Sequence, residues 1–348
     1  KRGFASKSAV MHASVLACYA PHLFYHFMYY TDPGSTCFVL LMLLAAAHDR
    51  QVLASLLGVV GIGFRQNNVA WVAFVLGATV LRTLAATNPE NKNLLGLFDA
   101  EPSLGNFGLV LKAMWREKGA LLGATWAYLL PLGGFAAFLL GNGGSVVVGD
   151  KANHTMVPHL AMLGYFFAIV WLPYGLAGPS GVFSKSTLNE IWFLFTATPA
   201  ALLCVIGGGS WLLAKYSFSH PFLLADNRHL TFYLWKGLLA KPQARLLLGA
   251  AYCVAGILGM RRLSRCQGFL FSAGFLATTA LVLVPAHLLE LRYFTLPVLI
   301  YHLHAPQRPP TAVYLAVALN AALSLGLGYV FLYRPFEDAN GVTQRFML

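Results

Sequence analysis

The chain has 348 residues, of which 58% are hydrophobic and 10% charged, against roughly 25% charged in a soluble domain. Apolar stretches recur along its whole length and no polar domain interrupts them, which excludes a water-bathed globular protein and makes the bilayer the solvent for most of it. The formal charge of +12 reads as loop charge that sets topology and meets anionic membrane lipids; without a basic, aromatic-interleaved surface domain, no nucleic-acid partner is expected.

Judged against a span of about 20 residues, the chain contains roughly eleven apolar segments. In order they are 8–28, 36–48, 52–64, 69–87, 119–140, 159–178, 190–214, 246–260, 268–288, 294–303 and 311–333. The expected fold is therefore an all-α, polytopic membrane protein with roughly 10–12 membrane segments. The runs 36–48, 52–64 and 294–303 are short enough to be half-helices or re-entrant segments. Gly207-Gly208-Gly209 suggests a close helix crossing. Cys18, Cys37, Cys204, Cys253 and Cys266 are odd in number and lack CxxC spacing, so they read as small apolar residues rather than a disulfide framework. The chain opens Lys1-Arg2-Gly3 without Met or a signal peptide, and an incomplete N-terminus is expected.

Alternate loops differ in chemistry. One set is plainly basic: Lys1-Arg2, Arg50, the polar stretch 88–118 with Lys92, Lys112, Arg116 and Lys118, then Lys185, Arg261-Arg262 with Arg265, and Arg308. The positive-inside rule places this set in the cytoplasm. The other set collects carboxylates, arginines, amides and histidines at residues 30–35, 65–68, 141–159, 220–229 and 290–293. It also carries the sequon Asn153-His154-Thr155, which requires a lumenal loop if used.

The strongest local signal is His220 to His229, where Asp226, Asn227, Arg228 and His229 stand in a row. It reads either as a solvated loop whose Asp226 caps the next helix or as a site gripping phosphate and sugar hydroxyls, for which the arginine fork is suited. Arg65-Gln66-Asn67-Asn68 lies at an inferred membrane edge, where such groups are costly and often functional; a snorkelling helix-end arginine is the alternative. Glu290 and Arg292 offer a binding pair or a structural ion pair. His22 with His26, and His302 with His304, are too few for a metal site and read as interfacial packing. The chain lacks a DxD, Walker, GxGxxG or HExxH motif, so no metal or cofactor is expected.

Several blocks resemble the eukaryotic dolichyl-phosphate-glucose alpha-1,2-glucosyltransferases. They are Tyr29 to Ser35 (YYTDPGS), Phe64 to Trp71 (FRQNNVAW), Leu223 to Tyr233 (LLADNRHLTFY), Leu289 to Phe294 (LELRYF), Gln344 to Met347 (QRFM) and the stretch from Gly143-Gly144 to Gly149-Asp150. They follow the family's order along nearly the whole chain. The resemblance implies a GT-C type helix bundle in the endoplasmic reticulum membrane, multi-pass, with its active site facing the lumen. It implies dolichyl-phosphate-glucose as donor and the diglucosylated dolichol-pyrophosphate oligosaccharide as acceptor. Residues 1–348 would form one polytopic transferase domain lacking the family's first helix and its first, acidic lumenal loop, where the main base is expected.

A beta-linked donor and alpha-linked product imply inversion, which needs a base at the acceptor hydroxyl and positive charge at the departing phosphate. On that reading Arg65, Arg228, His229 and Arg292 bind the donor phosphate, and Gln66, Asn67, Asp226, Asn227 and Glu290 hold sugar hydroxyls. Asp32 is the best carboxylate within the chain for a catalytic part. A lipid or solute transporter and a non-catalytic membrane partner, such as a channel-associated subunit, stay open; a transporter would more often show two repeated halves, and no repeat is found.

Overall fold

A computed structural model describes residues 2–100, 102–149, 151, 155–175, 181–338 and 341–348, with no side chains described for 2–6 and 100. Asp150 and the Asn153-His154 part of the sequon lie outside the described residues. In chain order the helices are α1 (Arg2–Ala17), α2 (Ala20–His26), α3 (Asp32–Ala47), α4 (Gln51–Phe64), α5 (Val69–Thr87), α6 (Pro89–Ala100), α7 (Leu104–Arg116), α8 (Lys118–Thr125) and α9 (Leu129–Gly141). There follow α10 (Ala161–Ile169), α11 (Lys185–Ala197), α12 (Pro199–Lys215), α13 (Pro221–Ala225), α14 (Leu230–Leu234), α15 (Pro242–Gln267), α16 (Phe269–Leu283), α17 (Thr295–His304) and α18 (Pro310–Tyr333). A two-stranded antiparallel hairpin, β1 (Phe336–Glu337) with β2 (Thr343–Gln344), comes last.

This is an all-α polytopic membrane protein. Among the described residues, four stretches are long and apolar enough to cross a bilayer: Gln66–Thr87, Lys118–Gly141, Pro242–Gln267 and Pro310–Tyr333. α11 and α12 make a fifth if counted as one broken span. The expected run 190–214 is broken because Pro199 cannot continue α11, and the two helices meet at a bend of 107°. Asp32–Ala47, Gln51–Phe64, Ala161–Tyr174 and Phe269–Leu283 are apolar but shorter, so the number of full-length spans is smaller than the number of apolar runs.

Two basic regions expected as loops are helical. The stretch 88–118 forms α6 and α7, with Ser103 Oγ accepting from Asn106 N at 3.1 Å to start α7. α7 exposes Leu104, Phe107, Leu111 and Trp115 beside Lys112 and Arg116, and Lys118 lies 4.3 Å from the Trp115 ring centre. That is the pattern of a helix lying in a membrane interface. α15 continues through Arg261, Arg262 and Arg265, because arginine is a good helix former, and stops only before Gly268 at φ +82°.

The chain forms two compact units. The first comprises 1–30, 156–260 and 283–348. Here α18 packs on α1 and α2, with Val15, Tyr174, Val313 and Ala316 buried together. The amide in this apolar helix uses both its ends. Buried Asn320 accepts from Ala20 N (3.3 Å) and donates to Pro173 O (2.7 Å) and Ala316 O (2.8 Å). The close crossing is α12 on α15, where a side chain on Gly249 would lie 2.9 Å from Ser210 Cα. Of the glycine triplet singled out in the sequence, only Gly209 has a neighbour, the Cys253 thiol.

The second unit comprises 31–155 and 261–282. Its α3 and α4 form a hairpin whose open end brings Gly34 against Phe64, and only glycine leaves room there for the ring. Leu84, Phe98, Val110, Ala113 and Leu121 make its core between α5, α6, α7 and α8. Trp71, Phe74, Phe271 and Phe275 interlock α5 with α16. All five cysteines are free thiols, and Cys37, Cys204 and Cys266 are exposed.

Candidate functional site

The residues singled out by sequence fall into two clusters, one in each unit. In the first unit α13 ends at Asp226, and the chain turns before α14 begins after His229. Asp226 does not cap α14. Its carboxylate instead folds the turn back on itself: Oδ1 accepts from Arg228 N (3.0 Å) and Nε (2.8 Å), and Oδ2 from Arg228 Nη2 (2.6 Å). Such a two-pronged pair is directional as well as strong. Hydrogen bonding from Arg228 holds the Asp226 carboxyl below its usual range, and the same bonds push the Arg228 guanidinium up. Asp226 is therefore a poor proton acceptor. His229 brings Nε2 to 3.6 Å from Asp226 Oδ2 while Nδ1 donates to Leu348 O at 3.2 Å. Asn227 stands exposed between them.

The C-terminal segment clamps this turn from below. Met347 N donates to Arg228 O (2.8 Å) and Leu230 N to Met347 O (3.0 Å). Arg228 Nη1 reaches Gln344 Oε1 at 3.5 Å, and the Tyr25 hydroxyl donates to Leu348 O. Phe24, Tyr25, Leu230, Leu291, Met347 and Leu348 pack together underneath. On the same cluster Glu290 is bonded to Arg292. The Arg292 guanidinium lies 4.3 Å over the Tyr30 ring, a favourable cation–π placement. The structure thus gathers Asp226, Arg228, His229, Glu290 and Arg292. Tyr25, Tyr30 and Gln344 join them without having been marked as site residues. Gln344 stood out only as part of a terminal block, and the spacing of 116 residues from Arg228 carries no periodic signal.

In the second unit Arg65, at the end of α4, is bonded to Asp32, which opens α3. Asp32 is buried at 7% exposure. The next turn supports this pair through Asn68, an amide of the conspicuous block that was given no binding role: its Nδ2 donates to Ser35 Oγ (2.8 Å) and Gly61 O (2.7 Å). Gln66 is half-buried and Asn67 exposed on the surface of the same turn. Arg65 is thus a paired residue rather than a snorkelling one.

The two histidine pairs singled out in the sequence behave as packing groups. His22 and His26 meet edge to face at 4.3 Å. His302 and His304 bond the main-chain oxygens of Val170 (2.6 Å) and Ile300 (2.9 Å). Among the described residues no group of His, Cys, Asp and Glu could hold a metal ion.

A family model described as the DIE2/ALG10 family matches residues 1–303. The chain belongs to this family. A human relative named "Dol-P-Glc:Glc(2)Man(9)GlcNAc(2)-PP-Dol alpha-1,2-glucosyltransferase" is 30% identical, over 97% of this chain and 72% of the relative. A rat relative of the same name is 31% identical over the same shares. An Arabidopsis thaliana relative of that name is 28% identical, over 98% of the chain and 76% of the relative. No solved structure matches the chain.

Proposed function

We propose that the chain is a glucosyltransferase that moves glucose from dolichyl-phosphate-glucose to the diglucosylated dolichol-pyrophosphate oligosaccharide and forms its terminal alpha-1,2 bond. The observation that carries this reading is family membership over residues 1–303, with relatives named for that reaction aligned over 97% of the chain. The reading places the protein in the endoplasmic reticulum membrane, with the Asp226–His229 turn facing the lumen and the basic regions on the cytoplasmic side.

Charge decides what the Asp226–His229 cluster is suited to hold. Asp226 offsets Arg228 and Glu290 offsets Arg292, so each guanidinium is close to neutral with its partner. Paired donors and acceptors, with exposed Asn227 between them, fit a polyol whose hydroxyls both give and take hydrogen bonds. The turn therefore orients glucose. The hydrogen bonds from Arg228 that hold Asp226 below the usual carboxylate range disfavour it as the base that takes the acceptor proton.

The test is complementation in cells whose own enzyme for the third glucose is deleted, with lipid-linked oligosaccharides sized by chromatography. The protein carrying this chain is expected to convert the diglucosylated species to the triglucosylated one, and Arg228→Ala to leave the diglucosylated species in place. A stably expressed wild-type protein that leaves it unconverted refutes the reading.

A further inference from the structure

In the first unit, α2 and the C-terminal half of α18 enclose an apolar slot of about 790 Å³. Phe24, Phe27 and Met28 form one wall, and Leu325, Tyr329 and Phe331 the other. Its lining runs along α18 from Ala321 to Tyr333, roughly 18 Å at about 1.5 Å per residue. That is long enough for an extended chain of several isoprene units. The slot and the sugar-orienting cluster share a wall, because Phe24, Met28 and Phe331 also belong to the apolar cluster that holds Leu348 beneath the Arg228 turn.

Two cations stand where α18 ends. Arg345 Nη1 donates to Phe331 O (2.7 Å) and Leu332 O (2.8 Å), and its guanidinium lies 5.6 Å from the Phe331 ring centre. The Arg334 guanidinium lies 5.7 Å from the ring centre of Tyr329. Phe331, Leu332 and Tyr329 all line the slot. Among the described residues neither arginine forms an ion pair with a carboxylate, whereas Arg65, Arg228 and Arg292 each do. An apolar slot that ends in two guanidiniums with no carboxylate partner among the described residues is complementary to a long apolar chain carrying an anionic head.

We propose that this slot, with Arg334 and Arg345 at its end, binds the polyprenyl phosphate portion of the glucose donor. The inference rests on the function proposed above and adds the lipid subsite to it. Position selects the donor over the acceptor. The donor's phosphate is joined directly to the glucose being moved, so its lipid must lie against the sugar-orienting cluster. The acceptor's diphosphate is separated from its reacting sugar by the rest of the oligosaccharide.

Gly328 lines the slot, and a Cβ placed there meets nothing within 4 Å. Gly328→Leu therefore starts its side chain in open space and extends it into the slot. The experiment measures glucose transfer by the full-length protein in membranes, using a long-chain polyprenyl-phosphate-glucose and a one-isoprene analogue. Gly328→Leu is expected to raise KM for the long-chain donor about tenfold, or about 1.4 kcal/mol, and to leave KM for the short donor and the acceptor unchanged. Arg345→Ala is expected to raise KM for both donors, and Arg345→Lys to restore part of the loss. A rise in acceptor KM instead assigns the slot to the acceptor and overturns the proposal. No change in any KM leaves the slot to bulk bilayer lipid and also overturns it. Binding of radiolabelled polyprenyl monophosphate, which carries no sugar, is read alongside. If wild type transfers no glucose yet binds this lipid and Gly328→Leu does not, the function proposed above falls and the lipid site stands. If neither protein binds it, the site falls whatever the transfer result.

Discussion

Removing Arg65 should destabilise the second unit far more than removing Arg228 destabilises the first, although both arginines are bonded to an aspartate. The difference is burial. The Asp32 side chain is 9% exposed and that of Arg65 24%, against 27% for Asp226 and 41% for Arg228. Taking one partner from a buried pair leaves a charge without its counter-ion and costs about 3–5 kcal/mol. Asp32 opens α3, whose N-terminal dipole favours an anion and returns part of that loss. Arg65→Ala is therefore expected at the lower end, about 3 kcal/mol, on the order of a hundredfold in the ratio of folded to unfolded protein. Arg228→Ala is expected to cost less than about 1 kcal/mol in stability, as solvent-exposed pairs do, while abolishing activity. The assay is denaturant titration in mixed micelles for wild type, Arg65→Ala, Asp32→Asn and the double variant. The double variant should be more stable than Arg65→Ala alone, since it no longer buries a carboxylate that has lost its arginine. A cost below about 1 kcal/mol for Arg65→Ala, or a double variant no better than the single, would refute this reasoning.

Asn320→Ala leaves Ala20 N and Pro173 O without their partner; a loss of about 2–3 kcal/mol is expected by the same titration, and Asn320→Asp should not restore it. Gly249→Val places a side chain against the Ser210 backbone, 2.9 Å from its Cα. It should separate α12 from α15 at a cost of about 1–3 kcal/mol, read as a lower melting temperature. His159 is fully buried, donates through Nδ1 to Ala286 O at 3.3 Å, and is pushed down to about 4 by burial. The unfolded chain, with an imidazole near pH 6.5, takes up the proton first. Stability is thus fully present above about pH 6.5 and falls on acidification toward the folded value, by up to about 1.4 kcal/mol per pH unit. His159→Gln should flatten that slope, and an unchanged slope would mean that other groups set it.

Much of the fold is legible because the bilayer demands continuous apolar helices. The segment expected at 69–87 is α5, Val69–Thr87, and that expected at 52–64 is α4, Gln51–Phe64. Hydropathy does not report where such a run breaks. Pro199 divides 190–214 into two helices that diverge, and the polar stretch 88–118 hides α7, whose apolar face is too narrow to raise the average. The site shows the same division. The Asp226–His229 block is conspicuous because polar groups are rare in this chain, and the fork from Arg228 to Asp226 is local. Residue types and their order thus determined by themselves the membrane class, most helix positions, the family resemblance and which polar blocks to inspect. Only the tertiary structure decided that Arg65 is spent on Asp32, 33 residues away, and Arg292 on Glu290. It likewise decided that Gln344 and Leu348 brace a turn more than 100 residues earlier in the chain, and that Arg334 and Arg345 have no acid partner among the described residues. The physical reason is that an arginine's effective charge is set by what stands within a few ångströms of it, and those neighbours are chosen by helix packing rather than by spacing along the chain.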